Sequence, residues 1–463
     1  MSFDVAIIGG GFAGLTAGNH VAMAGLKPVV LEAGTDEQYM CNSRVCTGAL
    51  HVAFLSPEEG ADRLYDAIVE CTDGTASDDI SRSLADNSQA TIDWMREEGC
   101  DFMQHPRRSY GLPMMSPGRE MRAGLDWEHS GPNLFLGELE ARLAERGGEL
   151  RRGSRVNRLL MRGSSVIGVV LSNSETISTR AAIIADGGFQ ANPQMVEANI
   201  TGAFEKVRQR NTETGRGDGL RMATEVGAAT VQLDKFYGHV LSRDAMKNEG
   251  LWPYPQVDVI CAKGIVVDAN AARFADEGLG GIFMANAIAG LDNPLSATAV
   301  FDQSVWADAR ESDIVPPNPS LVECGGTLYK AETLGELATV AGLNAQDLSR
   351  TVTEYNEMVR AGSAPALKPV RTTASYPACT IDKPPFYGIP LCAGITVTTG
   401  GLTVDGSARV LDETGNPIPG LYAAGSIVGG LEGGPRIGYV GGLIKAFGIG
   451  RIAGRAVAES LAG

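Results

Sequence analysis

Gly9, Gly11 and Gly14 form a G-x-G-x-x-G turn, and Glu32 follows 18 residues beyond the last of them. That set of residue types can hold a dinucleotide. The first glycine permits a tight turn, the second lets bare backbone approach a pyrophosphate, and the third lets a helix pack closely. A helix opening at Phe12 and Ala13 would turn its positive end toward the phosphates, and Glu32, with Ala33 beside it, would accept ribose hydroxyls. Two more strand-to-glycine junctions lie far along the chain, at Ala185-Asp186-Gly187-Gly188 and at Ala423-Ala424-Gly425-Ser426. NAD needs only the first turn. Extra points of close backbone approach suit the longer FAD, the cofactor expected here.

The elements that must position these residues can be read from hydrophobic period. Residues 3–9 form a short apolar run ending in glycines, 13–25 a helix, and 27–31 a second strand, which makes a βαβ unit. Ser56-Pro57-Glu58-Glu59 and Ser77-Asp78-Asp79 read as helix starts, Leu136 to Arg146 as an amphipathic helix, and Glu149 to Leu171 as hairpin strands. Another strand begins at Ala181. From about 231 to 380 prolines gather in loop-like stretches, and the strand-to-glycine pattern then returns at Gly420, followed by a closing helix over Gly441 to Ala458. The expected fold is α/β: a Rossmann-like FAD-binding domain of the glutathione-reductase type, built from 1–230 and 381–463, around an inserted α+β capping domain at 231–380. A length of 463 residues exceeds what one core usually serves. The net charge of −16 opposes binding to nucleic acid. Eight cysteines without a C-x-x-C pair suggest reduced thiols, no metal site and a cytoplasmic protein, and no apolar run suggests a signal peptide or membrane span.

The motifs Ile7-Ile-Gly-Gly-Gly-Phe-Ala-Gly-Leu, Asn42-Ser-Arg, Ile184-Ala-Asp-Gly-Gly-Phe, Gly215-Arg-Gly-Asp-Gly-Leu, Arg273-Phe-Ala-Asp-Glu277, Pro385-Phe-Tyr, Thr399-Gly-Gly-Leu and Gly420-Leu-Tyr-Ala-Ala-Gly occur in this order. As a set they resemble the FAD-dependent flavoproteins of fumarate reductase and succinate dehydrogenase, most closely the tricarballylate-dehydrogenase-type branch. The resemblance implies that Asn42, Ser43, Thr47 and Gly48 touch the pyrophosphate and flavin side, Val156 the adenine, and Asp218 and Ser426 the ribityl region. It also implies that Gly441, Gly442, Leu443 and Ile444 present a helix N-terminus to the flavin edge that gains charge on reduction. Covalent members of the family carry a histidine before the glycine-rich turn where this chain has Asn42-Ser43-Arg44, so non-covalent FAD is expected.

By the same resemblance the reaction is hydride transfer at a C–C or C=C bond beside a carbonyl or carboxylate of a small organic substrate, with an external electron donor or acceptor. His239 and Arg436 match the family's substrate-binding histidine and arginine, although Arg436 has surface pairing with Glu432 as its plain alternative. Tyr387 resembles a tyrosine near the carbonyl in ketosteroid dehydrogenases, and Tyr439 lies three residues from Arg436. Either tyrosine could serve as acid or carbonyl polariser; Tyr110, Arg107 and Arg108 read as solvated loop. The family's proton-donating arginine, four residues after the glutamate of its Arg-Phe-x-x-Glu motif, is missing after Glu277, and Val397 stands where a second dicarboxylate-binding histidine is expected. A less cationic pocket follows, unsuited to fumarate. Two other readings share these residues: an oxidase or hydroxylase using O2, and a catalytically impaired flavoprotein acting as a binding subunit.

Overall fold

The computed structural model describes residues 3–104, 111–119, 126–311 and 315–462, and Arg107, Arg108 and Tyr110 lie outside them. Val5–Ile8 and Pro28–Leu31 are short, wholly buried aliphatic strands that pair in parallel across the helix Phe12–Met23. A strand buried on both faces needs partners on both edges. Ala181–Ile184 supplies the other edge of Val5–Ile8, Pro417–Ala423 pairs in parallel beyond it, and Glu149–Arg151 closes the far side. Arg409–Leu411 completes this six-stranded sheet as its antiparallel edge. Each close-approach site expected from the sequence therefore follows the carboxyl end of a parallel strand in a single sheet, the crevice where such sheets bind ligands.

The turn after the first strand uses its glycines sterically. Gly9 has φ +104°, and a Cβ there would stand 2.6 Å from the Ala185 carbonyl oxygen, while a Cβ on Gly14 would stand 1.9 Å from that of Gly9. The last helix, Gly442–Ala462, packs on Phe12–Met23, and Phe447 meets the Phe12 ring with centroids 4.5 Å apart. In this way the end of the chain covers its beginning.

Local signals place most elements but not every boundary. Asp78–Glu97 begins after Ser77 as expected, and Val156–Arg162 and Ser165–Leu171 form the hairpin. The Ser56-Pro57 signal does not start a helix: Ser56 Oγ accepts the Glu58 amide in a turn, and the helix opens at Ala61 behind Gly60. The amphipathic helix starts earlier than expected, at Gly131, with Pro132 in its first turn.

A second sheet is organised by the 13-residue strand Phe386–Thr398. Its first half pairs with Thr298–Asp302 and Tyr329–Ala331; its second half carries Phe236–Ser242 on one edge and Arg208–Gln209 on the other. The strands at 208–209 and 386–398 thus lie outside the expected limits of 231 and 380. The reason is packing: Ile389, Leu391 and Ile395 bury their side chains with Phe236, Val240, Ile260 and Phe301 in a core separate from that of the first sheet. Among the described residues no helix is long and apolar enough to cross a membrane.

Candidate active site

The carboxyl ends of the first sheet frame a cavity of about 550 Å³. Gly9, Gly11, Phe12 and Ala13 line it from the first turn, Glu32 and Ala33 from the second strand, and Ala185, Asp186 and Gly187 from the third. Val156, Asp218, Gly425 and Ser426 also line it. The Glu32 carboxylate accepts the Gly10 amide at 2.8 Å and the Gly34 amide at 2.6 Å, so it fixes the turn while keeping lone pairs for a diol. Ser43 Oγ accepts the Phe12 amide at 3.0 Å, and Asn42 Oδ1 accepts both Thr212 N–H (3.0 Å) and Thr212 O–H (2.9 Å).

This donor set fits the nucleotide half of FAD. Among the described residues the Gly11 and Ala13 amides at the helix start find no protein acceptor, as phosphate-binding amides should. Asp186 Oδ2 accepts the Gly219 amide at 2.7 Å, whereas buried Oδ1 has no partner among the described residues. Burial, with Asp218 and Glu32 near, pushes the Asp186 carboxyl up to about 7. Asp218 itself pairs with Arg155 at 2.7 Å.

A larger cavity of about 1020 Å³ adjoins the first, and Asn42, Ser43, Val397, Ser426 and Ala446 line both. Thr47, Gly442 and Leu443 lie on its wall. Gly48, Gly441 and Ile444 line neither cavity, which corrects their expected contacts, and Gly14 lies behind the wall in the close helix packing expected of it. Gly48 packs under Pro132 and Met115, Gly441 donates its amide to Glu432, and Ile444 is buried in the core.

Three of the four reactive residues expected from the sequence reach this cavity. His239 does so beside two residues that sequence reasoning missed, Tyr237 and Asp258. Its Nδ1 lies 2.5 Å from Asp258 Oδ2 and its Nε2 3.0 Å from the Tyr237 hydroxyl, while Asp258 Oδ1 accepts the Val240 amide at 2.7 Å. Tyr237 and His239 share a face because they alternate along one strand, a period-2 signal visible in Tyr-Gly-His. Asp258 sits 19 residues away at the start of the helix Asp258–Lys263, and no local pattern joins it to His239.

Tyr439 stacks on Tyr237 with ring centroids 3.7 Å apart. Its oxygen accepts the Gly442 amide at 2.8 Å, and burial holds its phenol well above its ordinary pKa, so it remains a donor. His51, also missed, sets its ring edge against Tyr439, and burial lowers its pKa to about 4. Arg436 stands at the rim, where Asp73 takes its guanidinium at 2.5 Å and the Glu70 carbonyl at 2.9 Å. Glu432, its expected alternative partner, instead faces buried Lys445 at 3.1 Å.

Tyr387 is the clear correction. It lies in the second core, 4% exposed, stacked on Phe301 and donating to Gln303 at 2.7 Å, and it lines neither cavity. Its strand neighbours Phe301 across the sheet, so alternation turns it inward.

The profile of the FAD binding domain family matches residues 4–438. The chain belongs to that family. Among its relatives is the NADH:acrylate oxidoreductase of Vibrio harveyi, 26% identical over 96% of this chain; the chain spans only 45% of that protein's own length. The 4-oxocyclohexanecarboxylate 2-dehydrogenase of Sinomonas cyclohexanicum is also 26% identical, over 98% of this chain and 87% of its own. In structure the chain resembles the open conformation of a flavocytochrome c3 fumarate reductase, with TM-score 0.68 and 23% identity over 99% of this chain and 78% of that one. The likeness to fumarate reductase flavoproteins is thus found, without singling out the tricarballylate-type branch.

Proposed function

We propose that this protein interconverts a C–C and a C=C bond beside a carbonyl or carboxylate, using non-covalent FAD and the Tyr237 hydroxyl as the proton-transferring group. Bound FAD supplies hydride acceptance or donation. The residues named above would hold it: the first turn and Glu32 at the nucleotide half, with Asn42, Ser43 and Ser426 between the cavities. Supporting non-covalent binding, the thiols nearest that stretch, Cys41 and Cys46, are pushed up by burial to about 11 and about 12, so neither is a ready nucleophile.

The observation that carries the proposal is the Asp258–His239–Tyr237 chain opening on the larger cavity. Asp258 fixes Nδ1 as the protonated nitrogen, which leaves Nε2 to accept the Tyr237 proton when the phenol acts as base and to return it when it acts as acid. Tyr439 donates to the activating oxygen of the substrate as negative charge builds there. His51 stays neutral above its lowered pKa and contributes shape rather than charge. The relatives suit this chemistry by name: acrylate is an unsaturated carboxylate, and 4-oxocyclohexanecarboxylate carries a ketone and a carboxylate.

An anaerobic screen tests the reading. Saturated acids and ketones should bleach the oxidised flavin, or their unsaturated counterparts should reoxidise the reduced one. Inertness toward all of them would sink it, and stoichiometric peroxide with every active compound in air would favour an oxidase.

A further inference from the structure

The loss of cationic side chains expected at position 397 and after Glu277 is offset from an unexpected quarter. Arg119 and Arg210 both line the larger cavity and neither lines the smaller one. Arg119 is 6% exposed; its Nε donates to the Asp126 carbonyl at 3.0 Å and its Nη1 to the Val45 carbonyl at 2.8 Å. Among the described residues its buried Nη2 has no partner. Carbonyls orient a guanidinium without neutralising it, and a buried unpaired charge is costly. Burial lowers the Arg119 pKa; Tyr254 opposes it, and the positive charge of Arg210 lowers it further, against Cys46 and Asp126.

Arg210 is held just as firmly. Its Nε donates to the Pro253 carbonyl at 3.1 Å and its Nη1 to Thr396 Oγ1 at 3.2 Å, with the guanidinium 5.2 Å from the Tyr254 ring centroid. Among the described residues neither arginine has a carboxylate within ion-pair distance. Two like charges kept together in a cavity wall, one with a buried donor left over, make a preformed anion site.

We propose that Arg119 and Arg210 form a carboxylate-binding subsite, and that the substrate is an organic acid whose carboxylate docks there, several bonds away from the reacting carbon. This deepens the proposed function and rests on its assignment of the larger cavity to substrate. Sheet geometry sets the backbones that carry Arg210 and Tyr237 on opposite edges of one strand. The Arg210 amide bonds to the Ile395 carbonyl on one edge of the strand Phe386–Thr398, and Tyr237 pairs with Val397 on the other edge. Backbones two strand spacings apart are ~10 Å from one another. In this reading the carboxylate at the arginines is a handle, and the activating oxygen beside the reacting bond belongs to the Tyr439 end. The cofactor phosphates are no rival for this pair, because the amides suited to them line the other cavity.

Titration of the FAD-loaded protein with cyclohexanecarboxylate, benzoate and 3-phenylpropionate, each against its amide, tests the subsite by flavin absorbance perturbation and calorimetry. The acids should bind at least about tenfold more tightly than their amides. Arg119→Gln and Arg210→Gln should each weaken the acids ~10–100-fold and leave the amides unchanged, with FAD content confirming that the variants are folded. The Arg210 variant decides the matter if the Arg119 variant does not fold. Equal binding of acids and amides, equal loss of both in the variants, no measurable binding of any acid, or phosphate outcompeting every acid would each overturn the subsite. These probes require no turnover: acids that bind through the arginines while the bleaching screen stays blank would refute hydride transfer and spare the subsite. Bleaching by neutral ketones with no preference for acids would do the opposite.

Discussion

Tyr237 and Tyr439 stack face to face, yet their hydroxyls have different neighbours and so different tasks. Tyr237 meets a histidine that can take its proton; Tyr439 meets a backbone donor that cannot. Replacing Tyr237 with Phe should therefore slow flavin reduction by substrate ~10²–10⁴-fold while ligand binding stays nearly unchanged, a split visible in stopped-flow kinetics. Asp258→Asn should cost less and shift the pH profile, because it disturbs the tautomer of His239 without removing the reacting hydroxyl; an unshifted profile would leave Asp258 a merely structural role. Asp186 gives a stability prediction with a definite sign. Its folded pKa of about 7 lies above the ordinary 3.8, so the native state binds the extra proton. Its stabilising contribution is complete at low pH and is lost as pH rises toward 7, with an upper bound of order ~4 kcal/mol. In the FAD-free protein, Asp186→Asn should flatten the fall of urea stability between pH 4 and 7 relative to the wild type; parallel curves would contradict the assignment.

At the scale of elements, the last helix matters most, because it closes one cavity and anchors the other. The residues before it are held by Glu432, whose Oε1 accepts the Val440 and Gly441 amides and whose Oε2 meets Lys445, both side chains almost wholly buried. Removing one member of such a pair strands the other. Glu432→Ala should cost ~3–5 kcal/mol in denaturant unfolding and lower FAD affinity, whereas Arg436→Ala at the exposed rim should change stability by under ~1 kcal/mol. Sequence alone could find Val5–Ile8, Pro28–Leu31, Ala181–Ile184 and the strand leading into Gly425, because each is a short apolar run; it had no mark for Arg409–Leu411 and read Glu149–Arg151 as part of the hairpin, whereas long-range pairing puts both in the first sheet. It could not find the Glu432–Lys445 or His239–Asp258 pairs, which arise from chain segments brought together by packing. Tyr387 shows the converse error: a motif match located the residue in its family pattern, but strand alternation, which decides which way it points, was not applied to it.

For the whole molecule, the cofactor cavity draws on residues from Ile8 to Ala446, so nucleotide binding joins the two ends of the chain across one sheet. The order of motifs disclosed that closure, while the second sheet's claim on the strands at 208–209 and 386–398 depends on long-range pairing with no local mark. Since both ends of the chain meet at the cofactor, bound FAD should act as a cross-brace that the unfolded chain cannot use. A non-covalent ligand adds stability in proportion to the logarithm of its free concentration, about 2.7 kcal/mol at a hundred times its Kd. The melting temperature should accordingly climb with added FAD without reaching a stoichiometric plateau, and acid precipitation should release the yellow colour to the supernatant. A covalent flavin would do neither: colour would stay in the pellet, and extra FAD would leave the melting temperature where it was. Because Asn42 and Ser43 occupy the stretch where a linking histidine would stand and their side chains are engaged by Thr212 and Phe12, the first pair of outcomes is the one this chain should give.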